Sequence, residues 1–338
     1  MRLVTVLVAS LAVVRALDYD QETGKVTLSI GNEAKVDLKL QLNLFAEKLL
    51  VFGPECKDAG SCTKEGHPVY DAAKDKVTLE DGVIKVGKFD TKLAKDVEVN
   101  TGDKTIKQDI NVIVGAEDEA KQKSFSFEGI FGLRSGKDRA FDKLVSALDK
   151  KHLLIVPKLE NDKKSKPELL LGSESQACGE FKLVETTFQY WADDNLLVTK
   201  NLATDFLIAP SFSKSYGVSS IGIALFDKEV LSEDEYNNLE EFNLSYGGVE
   251  IKFNPQDAFE QQKDKTYKLQ VTHIVQDEID LALPNSYFEK YCIKFAKDGD
   301  KYMVGLAERN DENQGQNGAG LVATSLAALM GMFSLLWL

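Results

Sequence analysis

The chain has 338 residues, a formal net charge of −13 and four cysteines. This acidity disfavours binding to nucleic acid or to acidic lipid headgroups, because like charges repel. Without its two ends the chain leaves about 300 residues, enough for two modest lobes or one large β domain.

The first predicted segment is a secretory signal peptide at residues 1–16. Met1 and Arg2 precede an apolar run at residues 3–14, and the small residue Ala16 follows it. This is the pattern of a cleaved leader, and the run is too short to cross a bilayer. We therefore expect cleavage after Ala16 and export of the mature chain.

Short runs of β-branched and apolar residues, separated by turn residues, predict strands along the chain. These runs are Val26 to Ile30, Val36 to Leu42, Leu49 to Phe52, Val77 to Leu79, Ile110 to Val114 and Leu169 to Leu171. Helices are expected only at residues 138–148, which have one apolar face, and at 232–239, where a serine cap and acids open the first turn. The pattern indicates an all-β protein.

Four cysteines in an exported chain favour disulfides and allow three pairings. Cys56 and Cys62 would close a short loop, which makes this the easiest pairing and leaves Cys178 for Cys292. Asn243 begins an Asn-Leu-Ser sequon and is a candidate glycosylation site on a predicted strand.

Other chemistry is sparse in this sequence. His67, His152 and His273 have no spacing to one another or to cysteine that predicts a metal site. There is no phosphate-binding loop, no dinucleotide fingerprint and no nucleophile elbow. We therefore expect no cofactor and no metal.

The C-terminal end has the pattern of a glycosylphosphatidylinositol (GPI) attachment signal. A polar spacer at residues 310–320 ends in small residues, and an uncharged apolar tail follows at 321–338. Asn317 is the expected attachment residue, with Gly315 and Gly318 as alternatives. The other interpretation is an ordinary C-terminal membrane helix, which the lack of Lys or Arg after the tail disfavours.

Several stretches together resemble pepsin-like aspartic peptidases. Phe127 to Leu133 (FEGIFGL) is similar to the family's F-D-G-I-L-G-L, and Ala140 to Leu144 to its V-F-D-N-L helix. Pro167 to Gly172 resembles the G-E-L-V-L-G-G hairpin, Leu239 to Phe259 a later strand pair, and Val304 to Ala307 the closing V-G-L-A. The resemblance covers nearly all of the mature chain.

This resemblance implies an all-β, bilobal pepsin-like fold, with a few short helices and a cleft between two pseudo-symmetric lobes. The N-terminal lobe would span residues 17–183 and the C-terminal lobe 184–309. The resemblance also puts Cys56 and Cys62 on a small loop that usually carries a disulfide. It puts Cys178 and Cys292 on strands of the sheet that joins the lobes.

The two catalytic loops of the family fall on residues 43–52 and 201–210, with asparagine at both aspartate positions. The residues that would line the cleft floor are Asn43, Leu44, Phe45, Asn201, Leu202 and Ala203. Leucine replaces the threonine after each aspartate, and Phe45 and Ala203 replace the two glycines. The flap segment, Val77 to Gly87, has no tyrosine where the family keeps one.

Aspartic peptidases use two adjacent carboxylates that share one proton and act as base and acid. An asparagine amide neither titrates nor carries charge, so no catalytic residue is intact. We expect a surface-anchored binding module on the outer leaflet, holding a peptide, a protein or a small apolar ligand in the cleft. The alternative is an aspartic-type endopeptidase with weak or unconventional activity, in which Glu47, Asp81 or Asp205 supplies a carboxylate. A third possibility is a purely structural coat component without a defined ligand.

Overall fold

The structure is a computed structural model that describes residues 16–58, 67–102, 104–116, 127–158, 165–186, 193–197, 202–208, 216–218, 228–246, 249–273, 281–283 and 291–310. Strands predominate in these ranges and helices are short. The all-β class is therefore confirmed.

The N-terminal half forms an eight-stranded mixed sheet. Its strands are β1 (Tyr19–Asp20), β2 (Lys25–Ile30), β3 (Val36–Asn43), β4 (Leu49–Phe52), β5 (Ile84–Val86), β6 (Phe89–Asn100), β7 (Thr105–Ala116) and β8 (Gly129–Gly132). They pair in the order β1-β2-β3-β8-β4-β7-β6-β5, and β6 also pairs with β2. Six of the strands, β2, β3, β8, β4, β7 and β6, therefore close into a ring.

Along β2 and β3 every second side chain points into this ring, and these side chains fill its inside. Val26, Leu28 and Ile30 on β2 are buried, as are Leu38 and Leu40 on β3, while the residues between them are more exposed. Strand side chains alternate between the two faces, so the period of two in the sequence produces one apolar face and one polar face.

β8 lies between β3 and β4, parallel to the first and antiparallel to the second. Close packing here explains why the F-E-G-I-F-G-L stretch carries glycines. A Cβ atom on Gly132 would lie 2.5 Å from the carbonyl oxygens of Ala46 and Lys48, and one on Gly129 would collide with the Leu50 carbonyl. The chain that joins β3 to β4 is thereby held against the end of β8.

A second sheet combines strands that are distant in sequence. They are β9 (His152–Val156), β10 (Glu168–Leu171), β11 (Val184–Glu185), β22 (Tyr291–Asp298) and β23 (Lys301–Glu308), in the order β10-β9-β22-β23-β11. The predicted disulfide between Cys178 and Cys292 is present, with an S–S distance of 2.09 Å. This disulfide links the segment that precedes β11 covalently to β22.

A third sheet contains β12 (Asp193–Leu197), β13 (Leu202–Ile208), β14 (Tyr216–Val218), β20 (Val271–His273) and β21 (Leu281–Leu283), in the order β12-β13-β21-β14-β20. Its pairings are antiparallel, parallel, antiparallel and parallel in turn. The series β2-β3-β8-β4-β7 has the same succession. Two sheets of the chain therefore follow one strand path.

The remaining strands form two small sheets. They are β15 (Val230–Leu231), β18 (Phe259–Gln261) and β19 (Tyr267–Leu269) in one, and β16 (Phe242–Tyr246) and β17 (Val249–Phe253) in the other. The helices are α1 (Pro54–Asp58), α2 (Ala140–Ser146), α3 (Glu233–Asn237) and a 3-10 helix at Pro255–Ala258. Both predicted helices, now α2 and α3, are confirmed with shorter bounds, and Ser232 caps α3 in a capping box with Glu235.

The prediction of a strand at Val77 to Leu79 was wrong. Only Leu79 makes a β bridge, to Ala94. Instead a turn forms before it, in which the backbone N–H groups of Asp75, Lys76 and Val77 donate to the carbonyls of residues 71–73. The Val77 N–H is thereby satisfied within the turn and is not offered to a neighbouring strand.

The division into lobes at residue 183 stays a prediction. The second sheet takes β9 and β10 from before this boundary, and β11, β22 and β23 from after it. The predicted leader at 1–16, except Ala16, and the C-terminal signal lie outside the described residues. Among the helices that the structure describes, none has the length and apolar character to span a membrane.

Candidate functional site

Asn43 ends β3 at the point where the chain turns toward β4. Its carbonyl accepts the Leu133 N–H at 2.8 Å, and it pairs in register with Gly132 on β8. The Asn43 side chain is half-buried, while Leu44 beside it is fully buried. The residue predicted to replace a catalytic aspartate therefore stands at a strand end, beside a parallel neighbouring strand.

The amide oxygen of Asn43 is committed to its own loop. Oδ1 accepts the backbone N–H of Phe45 at 2.8 Å and of Ala46 at 3.1 Å. Two N–H donors directed at one atom identify that atom as the oxygen, so the Nδ2 group faces away from the loop. Within the described part of the chain Nδ2 makes no hydrogen bond. The exposed face of Asn43 is therefore a donor, where a carboxylate would be an acceptor.

The two residues that follow Asn43 are apolar and belong to the core. Leu44 is 1% exposed, and Phe45 packs partly buried against the same cluster. Leu44 cannot make the hydrogen bonds that the threonine of the family would make. The interaction on this side of the site is dispersion and burial of apolar surface.

Glu47 is the carboxylate closest to Asn43 along the loop, and it is engaged elsewhere. Its Oε1 lies 2.8 Å from Arg134 Nη1 and 3.2 Å from Arg139 Nη2. Its carbonyl accepts the Ala140 N–H at 2.9 Å. Glu47 therefore fastens the loop to the start of α2.

The other predicted floor residues fall on β13 and before it. Leu202 and Ala203 open β13 and pair with Leu197 and Leu196 of β12. Asn201 lies outside the described residues, in the connection from β12 to β13. The strand order matches β13 and β14 with β3 and β4, so the connection equivalent to the Asn43 loop is the one from β13 to β14. The pairing of Asn43 with Asn201 on one cleft floor stays a prediction.

The remaining candidates of the alternative hypothesis, Asp81 and Asp205, lie on other elements of the fold than Asn43. Asp81 is exposed in the turn before β5, on a hairpin whose Val83 and Ile84 are also exposed. Asp205 is a residue of β13, paired with Asp194 of β12. Within the described part of the chain, Asp81 forms no hydrogen bond or ion pair with the Asn43 loop.

The predicted modification sites are placed in part. Asn243 is exposed on β16, opposite Lys252 of β17. Cys56 lies on α1 and is disulfide-bonded. Its expected partner Cys62 and the lipid-attachment candidate Asn317 lie outside the described part of the chain.

One polar site was missed by the sequence analysis. His67 Nδ1 lies 2.7 Å from Glu128 Oε1, and the Glu128 side chain is only 4% exposed. Glu128 occupies the second position of the F-E-G-I-F-G-L stretch, and 61 residues separate the pair in sequence. Spacing could not have predicted this contact; an acidic residue inside an otherwise apolar stretch was the one available signal.

Comparison with protein-family models and with curated proteins found no match for this chain. In the described ranges there is no cluster of three or more His, Cys, Asp or Glu side chains that could hold a metal ion.

Proposed function

We propose that the protein is a non-catalytic binding module of aspartic-peptidase-like architecture, exported and held at the outer leaflet by a GPI anchor. Its ligand is a peptide, a protein or a small apolar molecule bound in the cleft between two lobes. The observation that carries the proposal is the side chain of Asn43, whose amide oxygen is held by the N–H groups of Phe45 and Ala46.

This arrangement opposes acid–base chemistry. The peptidase mechanism needs an ionised and a protonated carboxyl group at the water that attacks the peptide. Asn43 offers only a neutral N–H donor to that position, and Glu47 is held by Arg134 and Arg139. A donor can hold a carbonyl oxygen of a bound peptide, but it cannot accept a proton from water.

The strand order supports the architecture. A ring of strands in the N-terminal half and a sheet of the same path in the C-terminal half are what a duplicated lobe would produce. The sheet β10-β9-β22-β23-β11, locked by Cys178–Cys292, would then join the two lobes. A groove between lobes is a preferred place for a ligand site.

The alternative, a peptidase with weak activity, makes Glu47 the substitute carboxylate of this loop. The decisive experiment incubates the purified protein with a broad peptide library at acid and neutral pH. We expect no cleavage, and we expect slower amide hydrogen exchange at residues 43–49 when the library is present. Slower hydrogen exchange detects a peptide bound at this loop even when no peptide bond is cleaved.

The matched variants are Asn43→Asp and Glu47→Gln. Asn43→Asp restores a carboxylate at one position and should remain inactive alone, because one carboxylate cannot serve as both acid and base. Reproducible cleavage by the unmodified protein that disappears in Glu47→Gln would overturn the proposal in favour of the alternative. Unchanged hydrogen exchange with an intact library would contradict the binding role.

A further inference from the structure

A small pocket lies on the outer face of the ring. It has a volume of about 270 Å³ and is lined by Thr27, Asp37, Lys39, His67, Pro68 and Glu128. Drug-sized ligands occupy pockets of about 300–1,000 Å³, so this one fits a smaller molecule. β2 and β3 supply the wall made by Thr27, Asp37 and Lys39.

Glu128 forms the rigid back of this pocket. Its Oε2 accepts the Lys39 N–H at 2.6 Å, and its own N–H and carbonyl bond to Lys39 and Phe52. Both carboxylate oxygens are used, since Oε1 contacts His67. A buried carboxylate is stable only with such partners. Glu128 is therefore a positioning residue and does not itself bind a ligand.

The contact with Glu128 fixes the ring of His67. Nδ1 faces the carboxylate, and Nε2 is left as the atom that a ligand can reach. The His67 side chain is 28% exposed, so the pocket is open to solvent at this wall. His67 thus adds one oriented polar atom to the site.

Two opposite charges stand beside this imidazole. Asp37 and Lys39 are exposed on the same face of β3, roughly 7 Å apart along the strand. Neither forms an ion pair within the described part of the chain. Thr27, across from Lys39 on β2, uses its hydroxyl to bond Asp18. The groups left for a ligand are one carboxylate, one ammonium and one imidazole nitrogen.

We propose that this pocket binds a small zwitterion, a molecule that carries an ammonium and a carboxylate group, such as a free α-amino acid. The ligand carboxylate pairs with Lys39 and the ligand ammonium with Asp37. A ligand with a single charge meets one attractive and one repulsive neighbour, so the pocket discriminates against simple anions and cations. This site is independent of the function proposed for the Asn43 loop.

The test is a titration of the ¹⁵N-labelled protein with L-alanine, acetate and methylammonium at neutral pH. Shifts of the Lys39 amide and of the His67 ring nitrogens report binding. We expect saturation by L-alanine, and affinity for acetate and methylammonium at least about tenfold lower. Equal affinity for acetate or for methylammonium would overturn the zwitterion assignment, and no saturable shift with any probe would overturn the site.

Variants locate the binding groups. Lys39→Ala and Asp37→Asn should each weaken L-alanine binding by about tenfold or more, and both replace exposed side chains, so the fold is retained. Lys107→Ala, an exposed lysine on β7 outside the pocket, is the control and should leave the affinity unchanged. Loss of affinity in Lys107→Ala equal to that in Lys39→Ala would assign the binding to general surface charge and contradict the proposal.

Discussion

Asp75 shows how a single buried carboxylate can shape a turn. Its Oδ1 accepts the N–H groups of Asn32, Glu33 and Ala34 at 2.6, 2.7 and 2.9 Å. Its Oδ2 accepts the Tyr70 hydroxyl at 2.8 Å. Burial alone would raise the pKa of the Asp75 carboxyl, but these hydrogen bonds together lower it from its ordinary value of 3.8. The connection from β2 to β3 is therefore held by one ionised side chain.

We expect Asp75→Asn to destabilise the protein by about 2 kcal/mol, because the buried Tyr70 hydroxyl loses a charged acceptor. Urea unfolding at pH 7 measures this loss in the free energy of unfolding. The folded-state pKa lies below the unfolded-state value, so the carboxylate stabilises the fold above about pH 4 and this contribution is lost as the pH falls through the folded pKa. The difference between the native protein and the variant should therefore shrink in acid.

The matched control is Asp71→Asn, four residues earlier. Asp71 is more exposed, and it accepts the amides of Ala73 and Lys74 and pairs with the Lys74 ammonium at 3.1 Å. A surface arrangement of this kind contributes below about 1 kcal/mol. Equal losses in the two variants would show that burial of Asp75 adds nothing.

At the scale of elements, α2 is bound to the hairpin β22–β23 by a buried polar contact. Asp142 accepts the Lys297 ammonium and the Tyr302 hydroxyl, the latter at 2.9 Å. Burial alone would raise the pKa of Asp142, but the hydrogen bonds, chiefly that of Lys297, lower it. More than 150 residues separate the partners, so this contact joins the middle of the chain to its C-terminal hairpin.

We predict that Asp142→Asn costs roughly 3 kcal/mol of stability, because it removes the carboxylate partner of the largely buried Lys297 ammonium. Asp109→Asn is the control: Asp109 pairs with Lys143 of the same helix at 3.1 Å, but both side chains are more than one-third exposed. That exposed pair should contribute less than about 1 kcal/mol. Thermal unfolding of both variants measures the two losses of stability. Losses of similar size would refute the role assigned to Asp142.

How far the sequence predicts these elements depends on whether the signal is local. Strands β2 and β3 follow from alternation, and α3 follows from Ser232 and the acids behind it. Local signals also led to the wrong strand at Val77 to Leu79, since they do not show that Asp75 binds the β2–β3 connection. The pairing of His67 with Glu128 depends on the strand path of the ring, which no local pattern contains.

For the molecule as a whole, the sequence predicts strands in both halves but does not show which strand of one half corresponds to which strand of the other. Motif matching put Asn201 at the position equivalent to Asn43, while the strand path matches the Asn43 loop with the connection between β13 and β14. The disulfide Cys178–Cys292 was predictable because four cysteines leave few pairings.

Attachment of the whole molecule to the membrane can be tested by enzymatic cleavage of the proposed GPI anchor. Phosphatidylinositol-specific phospholipase C should release the protein from intact cells, because a GPI anchor holds it by lipid alone. The C-terminal peptide of the released protein, identified by mass spectrometry, should end at Asn317. A variant that stops at Gly320 lacks the apolar tail at residues 321–338 and should be secreted without enzyme treatment. Retention of the protein on treated cells, with the tail still joined to it, would instead establish an ordinary C-terminal membrane helix.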